Sequence, residues 1–393
     1  MNTGSESRWR ELDGLRALAI SLVLVNHLFV PQATGGWMTV LHGVLAPSWL
    51  GVDLFFVLSG YLITGILLRD RQQTRPFARF YLRRAVRIFP AYYAVLALVL
   101  LGIYAGASTE PRPSPTALAM FTAYAQNWWP VLLGSSGFVQ DTEPLWQQTS
   151  HFWSLAVEEQ FYLLWPLLLW WLPRQRVALG LGLIYLGVLG LKLCLWRGGA
   201  DPTWLFFATF SRCDALVLGA WVAACQHEGK SLRPLAAGWM GLLLLLLVAG
   251  IHAIYTLQWP TQYWRRLFGE VAPLTAAAAL LFTWMIVRLR QPPQHPRLRQ
   301  WLGSAPLGWL AQLSYSLYLV HLPITHGLNP ALNAFFARLG ASTNLAMLAA
   351  GLVILPLCIA AALLLHHGLE RPALRRRSAW ERRWLGPELQ RRS

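Results

Sequence analysis

The sequence is short of charged residues, and of acidic residues above all. Only 13% of its 393 residues are Asp, Glu, Lys or Arg, whereas roughly 25% of a soluble globular domain is charged. Because 55% of the residues are hydrophobic, the chain has too few polar groups to cover a surface that faces water. The composition excludes an ordinary soluble domain and favours a protein surrounded by lipid.

Lysine and cysteine are also scarce. Two of the 33 basic residues are lysines, and the four cysteines lie in apolar stretches without Cys-x-x-Cys spacing. This pattern indicates neither a disulfide framework nor a zinc site, so no metal is expected. The net charge of +16 would favour a nucleic-acid ligand in a soluble domain, but the arginines are scattered between apolar runs. No nucleic-acid partner is therefore predicted.

Long hydrophobic runs are abundant. A membrane-spanning helix needs about 20 mostly apolar residues, and the sequence contains ten such windows. They cover residues 12–31, 49–68, 88–106, 152–172, 177–196, 204–225, 235–254, 270–287, 306–326 and 344–366. The sequence therefore predicts an all-α integral membrane protein with ten transmembrane helices. The first window contains Arg16 and lacks a clear cleavage site, so we expect a retained helix rather than a signal peptide.

Basic residues are distributed unevenly between the predicted loops. With ten spans both termini lie on one side, which holds 25 Lys and Arg against five on the other side. Because positively charged loops stay in the cytoplasm, both termini are predicted to be cytoplasmic, in a multi-pass protein of a bacterial cytoplasmic (inner) membrane. Residues 1–370 are predicted to form the transmembrane domain and residues 371–393 a basic cytoplasmic tail, with no soluble C-terminal domain.

Several ionisable residues fall inside the windows, where a central charge costs about 2.5–3.5 kcal/mol. In the first window Arg16 and His27 share a helix face about 16 Å apart along the axis, with Asp13 near the same face. Either Arg16 or His27 alone is equally well explained as an interfacial side chain. In the fourth window Glu158 lies on the face that continues with aromatic residues, whereas Glu159 is predicted to point away.

Three further windows carry polar side chains. They are Asp53 and Ser59 in the second window, Arg212 and Asp214 in the sixth, and Tyr315, Tyr318 and His321 in the ninth. Arg212 and Asp214 lie roughly 200° apart on a helix, so each needs a partner on another helix. The hydroxyl stripe of the ninth window is also typical of residues that hold transmembrane helices together.

The predicted orientation sorts these residues by depth. Four lie at a similar depth towards the outside: His27, Asp53, Glu158 and His321. Four basic residues lie towards the inside: Arg16, Arg83, Arg84 and Arg87. A basic inner mouth suits an anionic cytosolic ligand, and a histidine with a carboxylate suits proton transfer beyond it.

Over essentially its whole length, the chain resembles the acyltransferase family three membrane proteins of the O-antigen acetylase type. The matching motifs are Leu12 to Arg16 with His27, Gly51 to Phe56 with Ser59 and Gly60, Arg83 and Arg84 with Arg87, Trp153 to Leu155 with Glu158 and Tyr162, Arg212 with Asp214, Ser314 and Tyr315 with Tyr318 and His321, and Glu370 with Pro372. Each motif alone is weak, but the ordered set is specific.

The resemblance implies transfer of an acyl group, most often acetyl from acetyl-CoA, to a hydroxyl of an extracytoplasmic glycan or glycolipid, such as lipopolysaccharide or exopolysaccharide. It associates Arg16 with the CoA end and His27 with the chemistry. The expected partners are acyl-CoA, the acceptor and the bilayer, and no tightly bound cofactor is expected. Many family members carry an additional hydrolase-like domain, which leaves open a partner that receives the acyl group; direct acylation of the acceptor is preferred here.

The residues suggest a mechanism. Arg16, Arg83, Arg84 and Arg87 would bind the phosphates of acyl-CoA. His27 would accept the proton of the acceptor hydroxyl, Glu158 would orient the imidazole, and His321 or Tyr318 would donate a hydrogen bond to the oxyanion. A transient acyl-histidine stays open as an alternative. Five residues are predicted to be structural or to line the substrate path: Asp13, Asp53, Ser59, Arg212 and Asp214.

Two alternatives differ in function. Intramembrane His, Glu, Arg and Asp residues are also typical of a proton-coupled transporter, although the sequence shows no inverted repeat. Within the enzymes, the transferred group could be succinyl or a longer acyl chain, and the acceptor a macrolide or a periplasmic glucan. Nothing in the predicted site residues selects the length of the acyl chain.

Overall fold

The computed structural model describes residues 10–32, 35–106, 112–139, 142–258, 263–291 and 296–385. Residues 1–9 of the predicted transmembrane domain and residues 386–393 of the predicted tail lie outside this part. Every regular element in the described residues is helical. Helices are the elements expected of such an apolar chain, because a helix satisfies its own backbone hydrogen bonds within lipid.

Eighteen α-helices are present in the described residues. The first nine are α1 Arg10–Phe29, α2 Gly36–Leu45, α3 Gly51–Asp70, α4 Pro76–Gly106, α5 Pro115–Thr122, α6 Trp129–Val139, α7 Pro144–Thr149, α8 Trp153–Trp171 and α9 Val177–Arg197. The others are α10 Pro202–Phe206, α11 Thr209–Arg212, α12 Asp214–His227, α13 Gly238–Gln258, α14 Tyr263–Arg290, α15 Pro296–Leu302, α16 Ala305–Arg338, α17 Thr343–Leu365 and α18 Arg371–Leu385.

Six helical segments of the described chain are long and apolar enough to cross a membrane. They are Arg10–Phe29, Gly36–Asp70, Pro76–Gly106, Val177–Arg197, Pro273–Arg290 and Thr343–Leu385. Each overlaps one of the ten predicted windows. Large apolar side chains such as Leu98, Leu183 and Leu352 are exposed on these segments, as the lipid-facing side of a helix requires. The chain is therefore an all-α protein with several apolar helices of membrane-spanning length.

The sixth predicted window is not one helix. It is divided among α10, α11 and α12, and the main chain at Ala208 is extended, with φ −67° and ψ 132°. Carbonyl groups near the break accept hydrogen bonds from side chains: Ser211 Oγ donates to Trp204 O at 2.5 Å, and Asn127 Nδ2 donates to Phe207 O at 3.0 Å. Such partners let a helix end inside the protein, and hydropathy alone does not indicate them.

Helices α3 and α12 cross in close contact. A Cβ atom on Gly60 would lie 1.8 Å from the carbonyl oxygen of Leu216, and one on Gly219 would lie 1.9 Å from the carbonyl oxygen of Val57. Because no side chain fits at these distances, the two backbones touch directly, as small residues allow in membrane helix pairs. The lack of a side chain at Gly60 and Gly219 is what permits this close approach.

Helix α4 begins well before the predicted third window, so the basic cluster of Arg83, Arg84 and Arg87 lies on a helix and not in a loop. Successive helical residues are rotated by about 100°, which places Arg84 and Arg87 about 60° apart. Arg83 lies about 40° from Arg87 on the other side, so Arg83 and Arg84 are about 100° apart and point in different directions.

The described part of the tail is helix α18, which follows a π-helical turn at His366–Glu370. Glu381 of α18 contacts α4 through two ion pairs: its Oε1 atom lies 2.8 Å from Nε of Arg83, and its Oε2 atom lies 3.7 Å from Nε of Arg79. Partly exposed pairs of this kind contribute about 0–1 kcal/mol each. They orient α18 on α4, and the domain boundary at residue 370 stays a prediction.

Candidate active site

A cavity of about 190 Å³ lies between α1, α3, α4, α8 and α16. Its apolar lining comes mainly from α3. The polar side chains that line it are Arg16, Ser59, Arg84, Arg87, Ser154, Glu158, Glu159, Tyr162, Ser314, Tyr315 and Tyr318. Six predicted site residues from five helices therefore meet here: Arg16, Ser59, Arg84, Arg87, Glu158 and Tyr318. Polar groups concentrated in an otherwise apolar cavity are typical of a ligand site.

Three arginines, Arg16, Arg84 and Arg87, form the basic wall of this cavity. The guanidinium of Arg84 lies over the ring of Tyr162, 5.6 Å from its centroid, and its Nε atom is buried without a hydrogen-bond partner among the described residues. Arg16 Nη1 lies 3.3 Å from Asp13 Oδ1, as their shared helix face predicts. A buried N–H group without an acceptor is costly, so the wall is suited to an anionic ligand group.

Arg83 is separated from this wall. It is not among the lining residues. Its Nε atom lies 2.8 Å from Oε1 of Glu381, and its Nη1 atom lies 3.5 Å from Oδ2 of Asp70. Arg83 and Arg84 are about 100° apart on α4, and in the folded protein Arg84 faces the cavity while Arg83 faces α18. Arg83 was predicted to bind the phosphates of acyl-CoA, but in the structure it contacts Glu381 and Asp70 outside the cavity.

Glu158 and Glu159 both line the cavity, although the helical spacing predicts that Glu159 points away. Glu158 lies within electrostatic reach of Arg84 and Arg87. A carboxylate in the same cavity balances these charges when no anion is bound. The structure therefore places Glu158 beside the arginines. In the described part of the chain, Glu158 makes no contact with the ring of His27, which it was predicted to orient.

Three histidines form a row beside the cavity. The ring centroids of His27 and His321 are 4.9 Å apart, and those of His321 and His151 are 4.6 Å apart. His27 is on α1, His321 is on α16, and His151 lies in the turn before α8. His321 and His151 are buried, whereas His27 is partly exposed. His27 and His321, predicted at similar depth, are thus in contact.

Tyr318 joins the histidine row to the cavity. Its hydroxyl donates to the carbonyl oxygen of His151 at 2.8 Å and lies 2.5 Å from Ser154 Oγ, and both Tyr318 and Ser154 line the cavity. The carbonyl oxygen of Tyr318 lies 2.8 Å from Nδ1 of His321 and 2.8 Å from Nε2 of His151. The basic wall and the histidines are therefore parts of one site.

Asp53, Arg212 and Asp214 lie apart from the cavity lining. Arg212 Nη2 forms an ion pair with Asp53 Oδ1 at 3.1 Å, and Lys192 Nζ contacts Asp214 Oδ2 at 2.5 Å. The expectation that Arg212 and Asp214 have partners on other helices is confirmed, since Asp53 is on α3 and Lys192 is on α9. Asp53 lies with these charges and not with the histidines.

Sequence reasoning missed His151 and the inward direction of Glu159, and it gave Ser154 no role beyond its place in the Trp153 to Leu155 motif. His151 directly precedes the apolar run of the fourth window, so the predicted orientation places it towards the outside, as it does His321. That position in the chain was the available signal. Tyr162 belongs to the same motif as Ser154, and its hydroxyl contacts Ser59 Oγ in the cavity.

A family model described as an acyltransferase domain matches residues 9–365. The chain belongs to this acyltransferase family. The match includes every residue of the cavity and of the histidine row, so the resemblance inferred from the motifs is confirmed. Membership of an acyltransferase family gives no support to the transporter alternative.

Two bacterial relatives extend the comparison. The peptidoglycan O-acetyltransferase OatA of Listeria monocytogenes is 31% identical over 335 residues, which are 82% of this chain and 50% of the relative. The O-acetyltransferase OatA of Staphylococcus aureus is 30% identical over 328 residues, 80% of this chain and 50% of the relative. The chain thus spans about half the length of these curated relatives of its acyltransferase family. No solved structure matches it significantly.

Proposed function

We propose that this protein is a membrane-embedded O-acyltransferase that moves an acyl group, most often acetyl, from cytosolic acyl-CoA to a hydroxyl of a glycan outside the cytoplasmic membrane of a bacterium. One observation carries the proposal: Tyr318 connects a cavity with a basic wall to the row that contains His27. An anion site and a base in one continuous site are what acyl transfer from a CoA thioester needs.

The proposed topology has ten spans with both termini in the cytoplasm. The excess of Lys and Arg on the side of the termini, 25 against five, supports this orientation. It places the start of α1, with Arg16, near the cytosol and His27 about 16 Å farther along the axis, in the outer half. Residues 1–370 form the transmembrane domain in this proposal, and residues 371–393 form the cytoplasmic tail.

In this arrangement acyl-CoA binds from the cytosol. Its phosphates contact Arg16, Arg84 and Arg87, whose guanidinium groups are suited to phosphate recognition. Its extended pantetheine arm follows α1 outward and carries the thioester past Tyr318 towards His27. The mostly apolar wall from α3 suits this uncharged arm.

The chemistry is a nucleophilic substitution at the thioester carbonyl. His27 accepts the proton of the acceptor hydroxyl as the hydroxyl oxygen attacks the carbonyl carbon. The Tyr318 hydroxyl, which donates to the His151 carbonyl before the reaction, turns its one proton to the tetrahedral oxyanion as the oxyanion forms. The carbon–sulfur bond then breaks, and the departing CoA thiolate takes the proton from the His27 imidazolium. The products are the acyl ester of the acceptor and free CoA.

The proposed acceptor is a glycan of the cell wall. The relative from Listeria monocytogenes is named for peptidoglycan, which favours a cell-wall glycan over the lipopolysaccharide or exopolysaccharide expected from the sequence. Because the chain covers half of that relative, the acceptor needs its own test.

The test uses membranes from cells that produce the full chain, incubated with acetyl-CoA labelled in the acetyl group and with either peptidoglycan or lipopolysaccharide. We expect ester-linked label in peptidoglycan, released by mild base and absent from membranes without the protein. NMR of the product locates the acylated hydroxyl. No label in either glycan from acetyl-CoA or succinyl-CoA, combined with proton flux in sealed vesicles, would instead favour the transporter.

Arg83 and Arg84 provide a matched pair for testing the donor site. Arg84→Ala removes a cavity guanidinium, and a charged hydrogen bond contributes about 1.5–3 kcal/mol. We therefore expect the KM for acyl-CoA to rise by about tenfold or more, with kcat at saturating donor largely retained. Arg83→Ala should leave this KM close to the wild-type value, because Arg83 contacts Glu381 outside the cavity. Equal effects of the two substitutions would contradict the placement of acyl-CoA in this cavity.

A further inference from the structure

The protons on the rings of His27 and His321 follow from their neighbours. A carbonyl oxygen only accepts hydrogen bonds, so Nδ1 of His321, 2.8 Å from Tyr318 O and 3.2 Å from Leu317 O, carries a proton. Nδ1 of His27, 3.0 Å from Val23 O, carries one for the same reason. In a neutral ring the other nitrogen, Nε2, is then an acceptor.

These assignments give the contact between the two rings a direction. Nε2 of His321 lies 3.3 Å from Nδ1 of His27. Because His321 Nε2 has no proton, it accepts from the His27 Nδ1–H, which is shared with Val23 O. Nε2 of His27 keeps its lone pair and is the nitrogen that can remove a proton from a hydroxyl. The acceptor hydroxyl is then the nucleophile, His27 is the base, and His321 orients the base. In hydrolase triads a carboxylate holds the position that the His321 imidazole holds here.

His151 supports the other side of His321. Its Nε2–H donates to the same Tyr318 carbonyl at 2.8 Å, and the Tyr318 hydroxyl donates back to the His151 carbonyl at 2.8 Å. The His151 ring also packs edge-on against His321, with an interplanar angle of 69°. His151 and Tyr318 therefore hold each other, and the carbonyl they position is the one that fixes the His321 tautomer.

A metal site is a different explanation for three adjacent histidines. It requires nitrogen lone pairs that converge on one point. Here one nitrogen of each ring faces a carbonyl oxygen, and no group of three or more His, Cys, Asp or Glu side chains in the described part of the chain is arranged to hold a metal ion. The row is better explained by hydrogen bonding.

We propose that His321 and His151 are positioning residues for the base His27. His321 accepts the hydrogen bond that fixes the tautomer and direction of the His27 ring, and His151 holds His321 through the carbonyl of Tyr318. The inference rests on the proposed function, because it assigns His27 the role of base. It replaces the expectation from the sequence that His321 donates to the oxyanion, since His321 Nε2 carries no proton here.

Paired substitutions test the two roles. His321→Gln keeps an acceptor near the position of Nε2, whereas His321→Leu removes it. We expect His321→Leu to lower kcat on the order of 10- to 100-fold, as loss of an orienting partner does elsewhere, with the KM for acyl-CoA unchanged, and His321→Gln to recover much of the loss. His151→Gln keeps a hydrogen-bond donor and His151→Leu does not. We therefore expect His151→Leu to lower kcat more than His151→Gln, with both losses smaller than that of His321→Leu. His367→Leu, at an exposed histidine, is the control for histidine replacement.

A kcat for His321→Leu within about twofold of wild type, or no recovery in His321→Gln, overturns the proposal. An inactive wild-type protein defeats the proposed function instead, and a second measurement then decides the inference. In the full chain in lipid bilayers, ¹⁵N NMR of labelled histidines, assigned with His27→Ala and His321→Gln, should show His27 and His321 protonated at Nδ1. Protonation at Nε2 of either ring in the wild-type protein overturns the inference whether or not transfer is detected.

Discussion

Replacement of His27 by alanine is expected to reduce acyl transfer by about 10²- to 10⁴-fold, the contribution typical of a positioned general base. Nε2 of His27 is the nitrogen with a free lone pair, because Nδ1 faces Val23 O and His321. The loss should appear in kcat, while acyl-CoA still binds, since the cavity arginines are untouched. The measurement is the rate of label transfer from acetyl-CoA in membranes that contain equal amounts of protein.

The matched control for this substitution is His367→Ala, because His367 is exposed on the π-helical turn, away from the cavity lining. It should keep wild-type activity. Acceptor acylation at the normal rate by His27→Ala would show that another group removes the proton. Mass spectrometry of wild-type protein incubated with acetyl-CoA alone also separates the two roles left open for His27, because only a covalent mechanism leaves an acetyl group on this residue.

The ion pair between Asp53 and Arg212 is expected to give the largest effects on stability. Both side chains are fully buried, and the Arg212 guanidinium also lies over the rings of Phe56, Trp153 and Phe206, at 5.5–5.7 Å from their centroids. Removing one partner of a buried pair costs about 3–5 kcal/mol, because the other charge is left without compensation. Asp53→Leu and Arg212→Met should each lower the Tm of the purified protein sharply.

The double variant provides the decisive comparison. Asp53→Leu combined with Arg212→Met leaves neither charge unpaired, so it should be more stable than either single variant. Arg338→Met, at an exposed arginine near the end of α16, should leave the Tm unchanged. A double variant whose loss equals the sum of the two single losses would show that the pair is not coupled. The Tm of all four variants is measured by thermal unfolding in detergent, with a fluorescent dye that reports side chains exposed on unfolding.

Part of the site was predictable because the relevant signals are local in the chain. The shared face of Arg16 and His27 follows from their spacing on one helix. The need of Arg212 for a distant partner follows from the cost of an isolated charge within lipid. The same reasoning does not identify the partner, because Asp53 competes with every other acid of similar predicted depth.

Neighbouring residues show where helical spacing alone was insufficient. Arg83 and Arg84 belong to the same motif and the same helix, yet Arg84 lines the cavity while Arg83 contacts Glu381. Their separation depends on the rotation of α4 about its axis, which is set by packing against other helices. Glu159 was predicted to point away from Glu158, but the cavity is wide enough for both carboxylates.

The sequence by itself determined the class of protein and its family, because hydropathy acts over windows of single helices and the motifs are contiguous or closely spaced. Only the tertiary structure decided which polar residues meet. His27 and His321 are 294 positions apart and His151 and Tyr318 are 167 apart, and their contacts depend on how α1, α8 and α16 pack. The direction of the hydrogen bonds along the histidine row, and with it the distinction between the base and its positioning residues, follows from main-chain carbonyls that have no signature in the sequence.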